Sequence, residues 1–372
     1  MKLTIERAAL FRSLGHVQSI VERRNTIPIL SNVLLTSDSG QLGLTATDMD
    51  IAIVEGVDAT IATSGSTTAP AHTLYDIVRK LPDGAQIELD TGNGDGQMTI
   101  RAGRSEFTLQ TLPTEDFPQT DGGDLPHQFV LSAAELRGLI DRTRFAISTE
   151  ETRYYLNGIF MHTTSGDGGE VMRTVATDGH RLARVEMQVP EGATGMPGII
   201  VPRKTVNELR KLIDEISGNI SIALSDTSVR FAFGGAVLTS KLIDGTFPDY
   251  ERVIPTENDK SLNVDCRSFA NAVDRVATIS TEKSRAVKLA AENNNLVLTA
   301  SSPDSGTARE EIEVDYNDSE IEIGFNARYL LDIAQQIEGG EAEFVVADAA
   351  SPTIVRDASD ASALYVLMPM RV

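Results

Sequence analysis

Two groups of acidic and imidazole side chains are the first candidates for chemistry. Asp48 and Asp50 form an Asp-x-Asp pair, and Asp178 stands two residues before His180. Residues of these types can ligate a metal ion, and His180 is a possible general base. No further Asp, Glu or His joins either group at ligand spacing, and no serine or cysteine nucleophile motif accompanies His180. Turn residues that accept backbone hydrogen bonds are the favoured interpretation of both groups.

Cys266 is the only cysteine in the 372-residue chain. It lies at the expected start of a helix, where the pKa of a thiol can fall, although a small buried residue is the favoured interpretation. A single cysteine excludes an intramolecular disulfide and a multi-cysteine zinc site within one chain, and it favours a reducing, cytoplasmic location. No P-loop or dinucleotide-binding glycine motif is present, so we expect neither a metal nor a cofactor.

The last eight residues, Tyr-Val-Leu-Met-Pro-Met-Arg-Val (365–372), are unusually apolar for a chain end. Termini tend to fray into polar residues. Methionines exposed near a terminus suit an adaptable docking surface. The apolar pattern alone fits a final core strand as well. The sequence leaves these two alternatives open.

A pattern that occurs three times must position these residues. Residues 2–21, 128–147 and 261–279 each begin with a short strand and continue into an amphipathic helix. Ser132 and Glu135 fit a capping box at the start of the second of these helices. The positions that recur at helical spacing are Leu10, Leu14, Val17 and Val21; Leu136, Leu139, Ile140, Thr143 and Ile147; and Phe269, Val273 and Val276.

A second helix follows in each copy, over 70–84, 202–218 and 326–340, and each stops at a glycine. Strand-like runs separated by turns of Asp, Gly or Asn lie between and after the helices. The pattern predicts an α+β fold of three tandem repeats, each with two helices packed on antiparallel sheets. We place the domains at 1–125, 126–256 and 257–372. Three unrelated domains that share a helix-on-sheet pattern are the alternative.

Charge is unevenly distributed along the chain. The net charge of −21 argues against phosphate binding. However, the six expected helices hold 18 of the 33 Lys and Arg but only 12 of the 54 Asp and Glu. A solvated face explains a basic bias in any one helix. In sum, the bias favours a surface that attracts DNA phosphates without reading bases. The expected helices cover 6–24, 72–82, 132–147, 202–217, 266–285 and 326–338.

Several longer motifs resemble those of the bacterial β sliding clamp, the processivity subunit of DNA polymerase III. The resemblance runs from Met1 to Val372. It implies a non-catalytic subunit that forms a closed head-to-tail homodimer around duplex DNA. It also implies that the replicative polymerase subunit, the clamp loader and other replication and repair proteins dock on the ring through short peptides. The motifs are RTVATDGHRLA (173–183), RYYLNG (153–158), SKLIDGTFPDYERVIP (240–255), YVLMPMR (365–371), TIPILSN (26–32) and GRSEFTL (103–109).

The resemblance further implies three sets of site residues. The partner-peptide pocket comprises Leu156, Thr177, Gly179, His180, Arg181, Leu182, Pro248, Val253, Asn326, Tyr329, Val366, Met368, Pro369, Met370 and Arg371. The DNA-facing residues are Arg24, His72, Glu150, Tyr154, Tyr155, Arg203 and Lys204. The dimer interface comprises Arg104, Glu106, Phe107 and Leu109 on one side and Thr278, Ile279, Glu310 and Glu311 on the other.

The chain departs from the family's pattern at a few positions. His72 stands where an arginine toward DNA is expected, and Glu150 where a glutamine is expected. Glu106 replaces an arginine at the ring interface, which suggests a reversed charge pair between Glu106 of one copy and Arg309 of the other. Ala350 is smaller than the residue expected in the pocket wall. The departures at His72 and Glu150 predict weak direct contact with DNA.

Two other functions stay open at the level of the sequence. One is a repeat-built scaffold that binds peptides and has no role on DNA, which retention on circular but not on linear DNA would exclude. The other is an enzyme, for which a turnover lost on substitution of His180 would be the evidence.

Overall fold

The computed structural model describes residues 1–92, 96–120, 123–166, 168–280 and 285–371. The chain divides into two compact units. Unit 1 contains Met1–Leu136, Pro190–Thr194 and Lys204–Leu242, and unit 2 contains Arg137–Val189, Gly195–Arg203 and Ile243–Val372. No helix in the described ranges is long and apolar enough to cross a membrane.

The three repeats expected from the sequence are present, and their elements follow one order. The first repeat contains β1 Lys2–Glu6, α1 Arg7–Gln18, β2 Asn32–Asp38, β3 Gln41–Thr47, β4 Ile51–Asp58, β5 Thr60–Thr63, β6 Gly65–Pro70, α2 Ala71–Lys80, β7 Gln86–Asp90, β8 Gln97–Ala102 and β9 Ser105–Gln110. The second contains β10 His127–Ser132, α3 Ala133–Arg144, β11 Gly158–Gly166, β12 Gly169–Thr177, β13 Arg181–Gln188, β14 Ile199–Pro202, α4 Arg203–Ile213, β15 Asn219–Leu224, β16 Ser228–Phe233 and β17 Ala236–Lys241. The third contains β18 Lys260–Asp265, α5 Cys266–Ala277, β19 Ala286–Glu292, β20 Asn295–Ser302, β21 Gly306–Glu313, β22 Ile321–Asn326, α6 Ala327–Ala334, β23 Glu341–Val346, β24 Thr353–Asp357 and β25 Asp360–Leu367.

Two eight-stranded antiparallel sheets join strands of neighbouring repeats. The order in unit 1 is β10-β15-β16-β17-β4-β3-β2-β6, and in unit 2 it is β14-β11-β12-β13-β25-β24-β23-β18. The pairs β17–β4 and β13–β25 are therefore the seams at which one repeat continues into the next. Two smaller sheets end in an unpaired strand: β5-β1-β7-β8-β9 in unit 1, and β21-β20-β19-β22 in unit 2.

The apolar periodicity of the sequence places the helices on the sheets as expected. Leu10, Leu14 and Val17 of α1 are fully buried, and α1 also packs against α2. The capping box is confirmed: the amide of Ser132 donates to Glu135 Oε2 at 2.8 Å, and the amide of Glu135 donates to Ser132 Oγ at 3.2 Å. Local sequence signals thus set where these helices begin.

The expected ends of the helices were wrong by several residues. The first helix was expected over 6–24, yet α1 ends at Gln18. Beyond it, the amide of Ile20 donates to Val17 O and the amide of Val21 donates to Gln18 O, which are the tighter three-residue turns of a 3₁₀ conformation. Ile20 and Val21 remain buried. The apolar pattern therefore continues after the α-helix has ended, and periodicity alone overestimates its length.

A histidine of α1 is held between two carboxylates inside unit 1. His16 Nδ1 lies 2.7 Å from Glu55 Oε2, and His16 Nε2 lies 3.1 Å from Glu215 Oε1. Ser13 donates to the other oxygen of Glu55, and Arg12 donates to the other oxygen of Glu215. Burial by itself lowers the pKa of His16, but hydrogen bonds and attraction from Glu55 and Glu215 outweigh it and raise the pKa above its ordinary value.

His16 is therefore expected to make the stability of the protein depend on pH. A raised pKa in the folded state contributes stability that is complete below the unfolded pKa of about 6.5 and is lost as pH rises through the folded pKa. The difference in free energy of unfolding between wild type and His16→Gln, measured in urea, should be larger at pH 6 than at pH 9. His127→Gln controls for the loss of a histidine elsewhere in unit 1. An equal His16→Gln difference at both pH values would contradict the ion-pair assignment.

Candidate peptide-binding site

The loop between β12 and β13 is built by its own side chains. Asp178 Oδ1 accepts the amides of His180 and Arg181 at 2.9 and 3.0 Å. Thr177 Oγ1 donates to Arg181 O at 2.7 Å and accepts the amide of Gly179. Gly179 has a φ of +87°, and a Cβ at this position would lie 2.5 Å from Arg153 Nη1, so the loop requires glycine here.

The interpretation of the Asp residues as turn residues is confirmed. Asp48 Oδ1 accepts the amides of Asp50 and Ile51 at 2.9 and 2.8 Å, which repeats in unit 1 the turn that Asp178 makes in unit 2. Within the described residues, no group of three His, Cys, Asp or Glu side chains is placed to hold a metal ion. Cys266 is buried, and burial raises the pKa of its thiol, which is the opposite of an activated cysteine.

Arg181 supports the loop from beneath. Its side chain is buried, and its guanidinium donates to Asp332 Oδ2 at 2.6 Å, to Asp178 Oδ2 at 3.1 Å and to Phe145 O at 2.5 Å. It also lies 4.3 Å from the ring centroid of Tyr329. The resemblance placed Arg181 and Tyr329 in the pocket. In the structure the arginine holds the aromatic ring in place and has little surface left for a ligand.

An apolar floor lies beside this loop. Leu156, Leu182 and Val366 from the expected set are buried in one cluster. Among the expected pocket residues, Val253 and Met368 are large apolar side chains with 48% and 40% of their surface exposed, so both are accessible to a ligand. Pro248 is also exposed. The sequence reasoning missed four further members of the cluster, which are Val175, Ile200, Phe247 and Tyr250. The motif at 240–255 contained both aromatic residues, which was the available signal.

The end of the chain is part core strand and part surface. Residues 365–367 finish β25, where Val366 pairs with Leu182, so the core-strand alternative is correct up to Leu367. Beyond it the amide of Met368 donates to His180 O at 2.9 Å, and the amide of Met370 donates to Gly324 O at 2.7 Å. These two bonds tie residues 368–370 to the loop at His180 and to β22. Pro369 and Met370 are half-buried, and Arg371 is exposed.

Asn326 closes the rim as a helix cap. Its Oδ1 accepts the amide of Arg328 at 2.9 Å and begins α6, which carries Tyr329 one turn further on. His180 is exposed at the tip of the loop. The contacts above thus join the loop at 177–182 to residues 366–370 and to Tyr329 of α6, and Leu156, Leu182 and Val366 share one buried cluster. Apolar side chains beside a few polar groups are the features by which proteins bind short extended peptides.

The expected DNA-facing residues differ in how far they are available. Arg24 and Arg203 are exposed, as is Tyr154, while Tyr155 packs against the apolar cluster. The remaining three are engaged within the chain. His72 Nε2 donates to Val21 O at 2.9 Å, and Glu150 accepts two bonds from Arg153 at 2.9 and 2.7 Å. Lys204 donates to Asp48 at 2.6 Å and to Glu22 at 2.5 Å.

The basic bias of the helices persists with their observed bounds. In the described part of the chain, α1 to α6 carry 14 Lys and Arg against 6 Asp and Glu, while the whole chain carries −21. The bias is therefore not an artefact of the overestimated helix lengths. It places the basic side chains on the helices and the acidic excess on strands and loops.

The expected interface residues lie on the two unpaired sheet edges and beside one of them. Glu106 and Phe107 of β9 are exposed, as is Arg104 in the turn before it, and Leu109 is half-buried. Both faces of β9 are open to solvent along most of its length. Thr278 is exposed and Ile279 is half-buried just after α5. Glu106 accepts from Arg101 Nε at 2.7 Å, Glu310 pairs with Arg275, and Glu311 pairs with Arg309.

Three α+β repeats joined through continuous sheets, with helices that carry more basic than acidic side chains, are the architecture of a DNA clamp. Models of the N-terminal, central and C-terminal domains of the DNA polymerase III β subunit match residues 1–121, 130–249 and 251–371. The chain belongs to this family, the bacterial β sliding clamps.

Individual relatives agree over the whole length. The chain is 57% identical to the β sliding clamp of Caulobacter vibrioides over 372 residues and 39% identical to that of Escherichia coli K12 over 373, with both chains fully covered. Among solved structures it is similar to a Caulobacter crescentus β sliding clamp at a TM-score of 0.98 and 57% identity, covering 100% of this chain and 99% of that one. It is also similar to a Bartonella birtlesii clamp bound to griselimycin, at a TM-score of 0.97 and 51% identity, with both chains fully covered.

Proposed function

We propose that two copies of this chain close head to tail into a ring around duplex DNA. The ring tethers the replicative polymerase subunit, and in turn the clamp loader and other replication and repair proteins, through the apolar cleft. The chain catalyses no reaction itself, needs no cofactor and works in the cytoplasm. The observation that carries the proposal is the way in which one repeat continues into the next, because it assigns a partner to two of the sheet edges, β9 and β21.

Both seams use the same pair of strands. In the element order of the repeats, β4, β13 and β21 occupy one place, and β9, β17 and β25 occupy another. The strand β4 pairs with β17 of the following repeat, and β13 pairs with β25 of the repeat after that. The third repeat leaves β21 unpaired, and the first leaves β9 unpaired. Pairing β21 of one copy with β9 of the next extends the same rule and covers these two edges.

The β17–β4 seam also supplies a register for this pairing. Matching the turn between β8 and β9 to that between β16 and β17 aligns Glu106 with Val237 and Phe107 with Leu238. Matching the hairpin before β20 to that before β3 aligns Arg309 with Val54 and Ala308 with Ile53. The facing pairs at the β17–β4 seam are Val237–Val54 and Leu238–Ile53.

Transferred to the interface, this register sets Glu106 of one copy opposite Arg309 of the other and Phe107 opposite Ala308. Opposite charges that face each other across antiparallel strands are favourable, and like charges are not. The charge pair suggested by the sequence thus has independent support from strand geometry. Because both side chains already pair within their own chain, an exposed pair of this kind adds only about 0–1 kcal/mol.

A ring that holds DNA by topology needs little direct affinity for it. Two chains with domains 1–125, 126–256 and 257–372 supply six domains and twelve helices. The exposed arginines, Arg24 and Arg203, add weak phosphate contacts that permit sliding. The acidic remainder of the chain disfavours binding of DNA elsewhere on the ring. This arrangement accounts for a DNA-bound protein whose net charge is −21.

The proposal is tested on nicked circular DNA. Protein loaded by a clamp loader should stay on the circle through a high-salt gel-filtration step and should be released when the circle is cut. Arg24→Ala should lower the loaded amount roughly two- to fivefold, because each lost phosphate contact weakens nonspecific attraction modestly. The control is Arg356→Ala, another exposed arginine, which lies on β24, pairs with Glu343 and belongs to none of the expected site sets. Retention that is equal on circular and linear DNA, or a strong preference for one base sequence, would overturn the proposal.

A further inference from the structure

One face of the unit 2 sheet changes from apolar to charged along its strands. The apolar end carries Leu182, Val175 and the rest of the peptide-site floor. At the other end, His162, Arg173 and Glu186 face one another across β11, β12 and β13. Arg173 is only 7% exposed, and its Nε donates to Glu186 Oε2 at 2.8 Å. A buried cation of this kind needs its remaining donors satisfied as well.

The 3₁₀ helix Tyr250–Val253 supplies the missing partners. Arg173 Nη1 donates to Tyr250 Oη at 3.2 Å and to Glu251 Oε1 at 2.6 Å. His162 Nε2 lies 3.0 Å from the same Tyr250 oxygen. Since Arg173 can only donate, the Tyr250 hydroxyl is free to give its own proton to His162 Nε2. The two consecutive residues Tyr250 and Glu251 are thereby fixed to the charged end of the sheet.

Upstream of this helix the chain is held by ring stacking instead. Phe247 stacks on Phe160 with centroids 4.9 Å apart and planes within 7°. Phe160 in turn stacks on His162 at 4.6 Å. Downstream, Val253 leaves the sheet and stands 48% exposed at the cleft. Its position is therefore set from both sides, by Tyr250 and Glu251 before it and by Ile254, which packs against the apolar cluster, after it.

We propose that Tyr250 is a positioning residue for the peptide cleft. Its hydroxyl, hydrogen-bonded to Arg173 and His162, fixes Val253 as one wall of the cleft and so sets the affinity of the cleft for partner peptides. The inference rests on the proposed function of the cleft. Without the hydroxyl contacts, the short helix occupies other positions, and a peptide binds only the fraction of molecules in which Val253 stands correctly. Apparent affinity falls in proportion to that fraction.

The hydrogen bond from the Tyr250 hydroxyl to His162 requires a neutral imidazole, so the positioning of Tyr250 depends on pH. Burial is the largest influence on His162 and lowers its pKa below the ordinary value; nearby Arg173 lowers it further, while a backbone hydrogen bond and Glu251 raise it. The charged and titratable groups that face the ring are Arg173, Glu251 and Tyr250, with Glu186 next in the row. A protonated ring cannot accept the Tyr250 proton. The hydrogen bond between Tyr250 and His162 is therefore present at neutral pH and is lost as pH falls through the lowered pKa of His162.

The test compares tyrosine-to-phenylalanine variants that each lose one buried hydroxyl in unit 2. The probe is a fluorescein-labelled peptide from the replicative polymerase subunit, and the dissociation constant is measured by anisotropy at pH 7.5 and at pH 5.5. Tyr250→Phe should weaken binding roughly tenfold at pH 7.5, the effect of losing hydrogen bonds to a charged group. Tyr316→Phe, which loses a bond to Ser319 O and touches no residue of the site, should bind as wild type does.

The comparison at two pH values distinguishes a positioning role of Tyr250 from a general effect of the substitution on stability. Wild type should lose more affinity than Tyr250→Phe between pH 7.5 and pH 5.5. His162→Gln keeps a hydrogen-bonding side chain that does not titrate, and it should bind well at both pH values. Equal affinity of Tyr250→Phe and wild type overturns the inference alone. Equal weakening by Tyr250→Phe and Tyr316→Phe also overturns it. A wild type that does not bind the peptide at all removes the proposed function of the cleft, and the inference with it.

Discussion

A chain that ends at Leu367 is expected to lose peptide binding by at least about a hundredfold while it still folds. The deletion removes Met368, Pro369 and Met370 from the mouth of the cleft. Truncating central apolar anchors typically costs 2 kcal/mol or more for each hot spot. It leaves β25 complete, because the strand ends at Leu367. Anisotropy with a polymerase-derived peptide measures the loss, and light scattering and thermal unfolding measure what is retained.

The matched control is a chain that ends at Met370. It keeps the three apolar side chains and both backbone bonds, from Met368 to His180 O and from Met370 to Gly324 O. It should bind the peptide nearly as wild type does. Unchanged affinity in the shorter chain would show that the cleft is not the peptide site. Failure of the shorter chain to fold would instead assign residues 368–370 to the core.

The sequence predicted well those features that depend on neighbours along the chain. The helix starts followed from capping residues such as Ser132 with Glu135, and the repeats followed from helical periodicity. The Asx turn at Asp178 followed from its position between two strands. In each case the interacting groups lie within about four residues of one another, which is the range over which propensity and side-chain capping act.

The sequence could not show the engagement of charged side chains by partners far along the chain. Lys204 was expected to face DNA, yet it donates to Asp48, which lies 156 positions earlier. Arg181 was expected to contact the peptide, yet it donates to Asp332, which is 151 positions later. Arg173 and Tyr250 were not singled out individually, although both lay inside recognised motifs. A basic residue in a motif shows its charge in the sequence, whereas only the fold shows which acid neutralises it.

The pairing of strands across repeats could not be predicted from the sequence for the same reason, since the partners lie far apart along the chain. Alternation within β4 and β17 predicts two strands but not that they are neighbours, because about 180 residues separate them and the order within a sheet depends on connections between elements. The structure supplied this order, and with it the register in which the two unpaired edges match. That register makes the interface testable residue by residue.

Replacing both Phe107 and Ile279 with alanine is expected to convert the dimer largely to monomer. Each truncation of an interface side chain costs about 1–3 kcal/mol. Two truncations at each of two interfaces raise the dissociation constant by roughly a thousandfold at the lower end of that range. Sedimentation at micromolar and nanomolar concentrations would show the shift. The control is Val130→Ala, since Val130 is also an exposed apolar residue on an edge strand of unit 1, namely β10, but has no assigned partner.

The register itself is tested by reversing charges rather than by truncation. Glu106→Arg places two arginines opposite each other and should weaken each of the two interfaces by about 0.2–1 kcal/mol, the range for a cross-strand pair. Adding Arg309→Glu should restore it, because the pair is then present in the opposite sense. Restoration needs the two positions to face each other across the interface, since Glu106 and Arg309 each have a different partner within their own chain. A double variant no better than Glu106→Arg would reject this register, and a wild type that sediments as a monomer at micromolar concentration would reject the ring.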